Sequence, residues 1–264
     1  MVQMRLDNET LKIISIPDRD SGKTQIWSVQ AVSEVFQEIS LSMKEGVIIF
    51  DISIENLQRA LKTHKNSFLD EVMIRLRRIE GEVYLCIHYL QEHDSGEERE
   101  ILQEIPIILR SPSIELQDVV EPEYPPTDLY VLLPETPNSL MRTCDRYRQL
   151  DENLIIKANS KGNLIISVES EFVKVVTTWE GLSNPELSLS QNPDTVDQNE
   201  EKISIAEVMI KCKDWWYLLQ MTEIASKIII GIVDERALVA YCYMSPTLES
   251  DMGVATYYIN SISK

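Results

Sequence analysis

The chain has 264 residues, 44% of them hydrophobic, with 25 Lys and Arg against 43 Asp and Glu for a formal net charge of −18. That is enough apolar material for one large or two modest cored domains, and no apolar run approaches the ~20 residues that would span a bilayer. Its 8 glycines form no G-x-G-x-x-G or G-x-x-x-x-G-K pattern, which argues against a phosphate-cradling nucleotide site, and such acidity repels nucleic acid unless cations are gathered locally.

Charges begin at Arg5 with no apolar h-region before them, so no signal peptide is expected. Residues 3–16 then read as two short strands around a polar turn. An apolar strand over 47–54 runs into a short amphipathic helix over 55–65. In that helix Leu57, Ala60, Leu61 and His64 recur at i, i+3, i+4 and i+7, predicting one core-facing stripe. Arg59, Lys62 and Asn66 fall opposite, with Lys65 at the flank. Strand-like runs at 72–79, 83–90 and 101–109 close this half.

Residues 111–127 (SPSIELQDVVEPEYPPT) carry four prolines, Pro112, Pro122, Pro125 and Pro126. They exclude a central strand or a helix interior and predict a semi-extended connector between 1–110 and 128–264. Residues 111–141 hold no Lys or Arg but include Glu115, Asp118, Glu121, Glu123, Asp128 and Glu135, so much of the acidity sits in loops.

The second half opens with a strand over 128–133 and a helix over 137–150. That helix turns Leu140, Thr143, Cys144 and Tyr147 inward and Arg142, Arg146 and Gln149 outward, with Arg148 flanking. A strand pair over 154–168 follows. A polar, acidic segment, 183–202, leads to a strand over 203–212 and a helix over 214–225. Here Trp215, Leu218, Leu219 and Thr222 turn inward, while Tyr217 and Gln220 turn outward near Lys213. Strands at 227–233, 237–244 and 254–262 end the chain.

The halves therefore repeat one unit: strand pair, strand running into helix, three closing strands. In the first half the strand and helix that open the second, roughly 25 residues, do not precede the strand pair. Either the chain is an N-terminally shortened form or the first unit has lost both elements; the first is the expectation, because losing both would open a sheet edge and core.

Cys86, Cys144, Cys212 and Cys242 are scattered and read as buried, reduced thiols; with only His64, His88 and His93 beside them, no spacing suits zinc. Neither a metal nor any other cofactor is expected. Carboxylate pairs (Asp18/Asp20, Glu97/Glu98, Glu200/Glu201) lie in polar loops, and no nucleophile–base set can be assembled, so a non-enzyme is predicted. His88 reads as a strand-face histidine, and Trp215 in Trp215-Trp216 as core packing.

Three stretches are similar to a known family: Glu55-Asn56-Leu57-Gln58-Arg59-Ala60-Leu61-Lys62-Thr63, Ile105-Pro106-Ile107, and the long run 154–187 with Glu169-Ser170-Glu171-Phe172-Val173 and Gly181-Leu182-Ser183-Asn184-Pro185. They resemble the Hus-type subunit of the 9-1-1 DNA-damage checkpoint clamp, a non-catalytic nuclear protein of checkpoint and repair. The resemblance implies an α+β, duplicated PCNA-like fold of two mainly antiparallel β units. It also implies a heterotrimeric ring with Rad-nine-like and Rad-one-like subunits, placed by a clamp loader around double-stranded DNA without sequence preference.

On that reading Arg59, Lys62, Lys65, Arg142, Arg146 and Lys213 face DNA, supplying non-specific phosphate attraction. Strands 101–109 (Ile105, Ile107, Leu109) and 171–179 (Phe172, Val173, Val175) pair with neighbouring subunits by β-augmentation. By resemblance to PCNA, Ile114, Leu116, Val119 and Val120 border a groove for client peptides. An interaction scaffold of the same fold without DNA contact is the competing expectation.

Overall fold

The computed structural model describes residues 1–16, 24–41, 46–64, 72–92, 98–134, 138–185, 204–244 and 253–262. In chain order the first elements are β1 (Val2–Leu6), β2 (Thr10–Ser15), β3 (Gln25–Ala31), α1 (Val32–Val35), β4 (Ile48–Ile52) and α2 (Ile54–His64). Then come β5 (Val72–Ile79), β6 (Glu82–Glu92), β7 (Glu98–Arg110) and α3 (Pro112–Asp118). The remainder is β8 (Leu129–Leu132), α4 (Asn138–Tyr147), β9 (Asn153–Asn159), β10 (Leu164–Glu169), β11 (Lys174–Trp179), β12 (Ile205–Lys211), α5 (Cys212–Gln220), β13 (Lys227–Val233), β14 (Ala237–Tyr243) and β15 (Val254–Asn260). A single 3-10 turn, Met221–Glu223, extends α5.

By internal contacts the chain forms two units: Met1–Ser15 with Ala31–Val120, and Ile16–Gln30 with Glu121–Lys264. The sequence reading placed all of 1–110 in the first. Residues 25–29 of β3 belong to the second because β3 pairs antiparallel with β15, Val29 opposite Val254 through Gln25 opposite Tyr258.

In the first unit the strands run β5-β6-β7-β4-β1-β2, all antiparallel where paired. The β1–β2 turn is set by Asp7, whose Oδ1 accepts the backbone N–H of Glu9 at 2.8 Å and of Thr10 at 2.7 Å, while Oδ2 accepts the Thr10 hydroxyl. Val2, Phe50, Ile52, Leu85, Ile87, Tyr89, Ile105 and Ile107 form the core, with Ala60 and the partly buried Leu57 of α2 against them.

The second unit holds two sheets, β3-β15-β14-β13-β8 and β11-β10-β9-β12. Alternation in β9 and β10 buries Leu154, Ile156, Ala158, Leu164, Ile166 and Val168 and leaves the residues between them partly exposed. These residues share one core with Leu140, Cys144 and Tyr147 of α4, with Trp215, Leu218 and Leu219 of α5, and with Ile228, Ile230 and Ile232 of β13. At the β9–β10 turn Gly162 has φ +80°, and a Cβ there would lie 2.1 Å from the Leu182 carbonyl oxygen. That close approach lets Leu182 N–H bond the Gly162 carbonyl, seating the Gly181–Asn184 run on the turn.

Several expectations are corrected. The connector is not extended throughout: Pro112 tolerates the first helical turn, and residues 112–118 form α3. Leu61, placed on the core stripe of α2, is 46% exposed because no second helix lies beside it among the described residues. The strand expected over 171–179 starts at Lys174; Phe172 and Val173 belong to the preceding turn, closed by Ser170 N–H to the Val173 carbonyl. Residues 186–203, Lys65 and the side chain of His64 lie outside the described residues.

Candidate functional site

The helices carry the cations. α2 begins after Ser53, whose carbonyl accepts the Leu57 N–H at 3.0 Å. Burial of Ala60 and Leu57 then turns Arg59 and Lys62, one turn apart, to solvent. α4 is fixed from below by Tyr147, whose hydroxyl reaches the Ile166 carbonyl at 3.2 Å and Thr177 Oγ1 at 2.7 Å. With Leu140 and Cys144 equally buried, Arg142 and Arg146 face outward. Lys213 is exposed at the start of α5, which packs beside α4: the Cys144 thiol approaches the Cys212 carbonyl and Gln220 approaches Met141 Sδ. Of the residues assigned to DNA, Arg59 and Lys62 thus share α2, Arg142, Arg146 and Lys213 gather on α4 and α5, and Lys65 is outside the described residues.

Two features were under-read. Arg148, at the end of α4, lies over the Trp216 ring at 5.0 Å, and Lys213 lies over the exposed Tyr217 ring at 5.7 Å. Tyr217, expected outward near Lys213, occupies the position in α5 that Arg59 holds in α2. Arg75, Arg77 and Arg78 of β5 are also exposed.

The strand edges differ from expectation. β7 pairs with β6 along Glu98–Ile107 but with β4 only along Ile107–Arg110. Its second edge over residues 98–106 meets no strand among the described residues. Ile107 is therefore paired on both sides, opposite Val83 and Ile52, while Leu109 is paired on the β4 side, opposite Phe50, so neither lies on the edge left unpaired over residues 98–106. Ile105 and Ile107 are buried in the unit's own core, whereas Leu102 stands exposed on the opposite face. Among the described residues β11 pairs only with β10. Along it Val176 is exposed, Val175 packs partly on the core, and Phe172 in the turn is 90% exposed.

The connector is held at both ends. Buried Arg5 donates to the Glu115 carbonyl at 3.1 Å and the Val119 carbonyl at 2.7 Å, while Gln3 donates to the Glu115 carboxylate at 2.9 Å. Burial draws the Arg5 pKa below its ordinary value, with Glu115 opposing. Further along, the Tyr258 hydroxyl donates to Glu121 at 2.7 Å, and Tyr124 stacks on Tyr258 and bonds Asn260. Of the four groove residues, Ile114, Leu116 and Val120 are exposed, but Val119 is buried at 4% and offers a ligand nothing.

The thiols are buried, and desolvation pushes Cys144 and Cys242 up to about 12 and Cys212 to about 11, far from reactive thiolates. His88 sits on a strand face with Nε2 2.7 Å from Glu100. Among the described residues no group of three or more His, Cys, Asp or Glu could hold a metal ion, and no helix is long and apolar enough to cross a membrane.

The fold is similar to that of solved sliding clamps. The Proliferating Cellular Nuclear Antigen of Entamoeba histolytica matches at a TM-score of 0.64 and 10% identity, covering 99% of this chain and 89% of that one. PCNA of Thermococcus kodakaraensis matches at 0.63 and 16%, covering 99% and 90%. These likenesses establish a PCNA-like fold of antiparallel sheets and few short helices. In sequence the chain is 28% identical to "Checkpoint protein hus1" of Schizosaccharomyces pombe over 98% of its own length and 89% of the relative's. It is 24% identical to human "Checkpoint protein HUS1", covering 79% and 73%, and 22% identical to the Dictyostelium discoideum homolog, covering 97% and 88%. The model of the Hus1-like protein family matches residues 1–263, and the chain belongs to that family.

Proposed function

We propose that this chain is a non-catalytic subunit of a heterotrimeric ring, completed by Rad-nine-like and Rad-one-like subunits. A clamp loader closes the ring around double-stranded DNA at damage sites in the nucleus, and the ring recruits checkpoint and repair factors. The observation that carries the reading is the pair of outward cations on α2 (Arg59, Lys62) and on α4 (Arg142, Arg146) in a chain of net charge −18. Cations without base-reading geometry give phosphate attraction that permits sliding, while the acidic remainder discourages side-on adhesion.

Assembly rests on the repeat. β7 and β11 stand where β15 and β3 stand in chain order, and β15 and β3 pair with each other. The open edges of β7 (residues 98–106) and β11 would each take the corresponding edge of a neighbouring subunit. Ile114, Leu116 and Val120, displayed on a connector held by Arg5 and Tyr258, would meet client peptides.

The test is co-expression with both partner subunits, a native mass measurement, and retention on nicked circular duplex DNA against salt. A three-subunit mass with salt-dependent retention, weakened on every sequence alike by R59E, K62E, R142E and R146E together, is the expected result. A stable trimer with no DNA retention would instead favour a pure interaction scaffold.

A further inference from the structure

The outer layer of α4 and α5 carries more than charge. Four side chains form a row: Arg148, Trp216, Tyr217 and Lys213. The Arg148 guanidinium covers the Trp216 ring at 5.0 Å, the Trp216 and Tyr217 rings meet edge-on at 5.4 Å and 69°, and the Lys213 ammonium lies 5.7 Å from the Tyr217 centroid. Tyr217 is 48% exposed, while the next two residues, Leu218 and Leu219, are fully buried. The backbone beneath the ring is therefore held by the core while about half of Tyr217 stays exposed to water.

An exposed aromatic ring costs solvation and contributes nothing to this core. Helix solvation alone would be met by a charged residue, as Arg59 meets it at the matching position of α2. On the basis of the clamp reading above, we propose that Tyr217 is a stacking station for an unpaired nucleobase. Lys213 and Arg148 hold the adjoining phosphates, so this unit prefers single-stranded DNA segments such as gaps and flaps over continuous duplex. Duplex bases are already stacked on one another and present only phosphates to the row; an unpaired base offers a free π-face.

Charge complementarity favours nucleic acid over a peptide. Lys213 lies over the Tyr217 ring and Arg148 over its neighbour Trp216, and α4 adds the exposed Arg142 and Arg146; the acids of this stretch are Asp145, Asp151 and Asp214. The cations also polarise the two rings, and the site needs no base-specific hydrogen bond, so sequence tolerance is expected.

The full chain would be titrated with a labelled oligothymidine of about 20 nucleotides and with a blunt duplex of about 20 base pairs at one fixed low salt concentration. Tyr217→Ala should weaken oligothymidine binding by about tenfold and duplex binding by less than about twofold. Tyr217→Phe should retain both, because the ring and not the hydroxyl does the stacking. Tyr217→Trp should retain binding, with its added emission quenched by oligothymidine.

Equal affinity of Tyr217→Ala and wild type for oligothymidine overturns the proposal. So does an equal loss on both probes, which would mark a general disturbance of the helix. R142E with R146E serves as the separate arm. If that variant leaves both probes unchanged while Tyr217→Ala loses oligothymidine, the clamp-face reading fails and the stacking station stands. If it weakens both while Tyr217→Ala changes neither, the reverse holds.

Discussion

Leu61 and Leu219 occupy the same position of a short helix, each the eighth residue counted from the helix start, yet Leu61 is 46% exposed and Leu219 is 0%. The same contrast runs through the strands that follow. β13 is buried from Ile228 to Val233, paired on one edge with β14 and on the other with β8. Among the described residues β5 pairs with β6 alone, and Val72, Met73, Ile74 and Leu76 are all exposed. Val72, Ile74 and Leu76 lie opposite Tyr89, Ile87 and Leu85, so they continue the core face of the first unit to its rim. Apolarity fixes which way a side chain turns; only a neighbouring element, here β8 with α4, makes that direction dry.

The largest test of this comparison is truncation at the two leucines. Leu219→Ala should cost about 2–5 kcal/mol by opening a cavity in a closed core, and Leu61→Ala under about 1 kcal/mol because water already reaches it. Denaturant unfolding of both variants checks this, and equal losses would break the comparison. Proline at Ile107 belongs with the large effects: paired on both edges, it should unfold the first unit. Proline at Val176 disturbs only a single-partnered strand, and circular dichroism separates the two outcomes.

Next in size are the cation pairs. If α2 and α4 serve DNA equally, R59E with K62E and R142E with R146E should each reduce the salt dependence of DNA retention by about two contacts' worth. A loss confined to the α4 pair would place contact on the second unit alone. Smaller is Ile74→Lys on β5. It should leave the unfolding midpoint nearly unchanged and lower self-association in light scattering, because an open apolar edge invites strand pairing.

The smallest effect separates the two hairpins. Asp7 sets the β1–β2 turn, and Asn159 does the same work at β9–β10, its Oδ1 accepting the N–H of Lys161 and Asn163. Burial alone would raise the Asp7 pKa, but the backbone N–H bonds from Thr10 and Glu9, with the Thr10 hydroxyl and Lys12, outweigh it and lower the value. Its contribution is thus complete above about pH 4, the ordinary carboxylate range, and is lost as pH falls through the lower folded value. Solvent screening keeps that contribution under about 1 kcal/mol. Amide exchange at Glu9 and Thr10 should quicken below about pH 4 relative to that at Lys161 and Asn163, and Asp7→Asn should abolish the difference.

The sequence by itself determined the repeat, the order of the elements the two halves share and the outward cations, while β3 and α1 went unread. Each follows from local periodicity: alternation in β9 and β10, and the helical spacing of Leu140, Cys144 and Tyr147 against Arg142 and Arg146. Helix propensity after Pro112 was legible as well but was outweighed by the proline count, so α3 was missed. Tertiary structure alone decided the rest. It determined that Ile107 is interior while residues 98–106 keep an edge unpaired among the described residues, that Val119 is covered while Val120 is not, and that Arg148 lies over Trp216. Such facts depend on which distant strand or side chain arrives beside a residue, and pairing partners far apart in the chain leave no periodic trace in either segment.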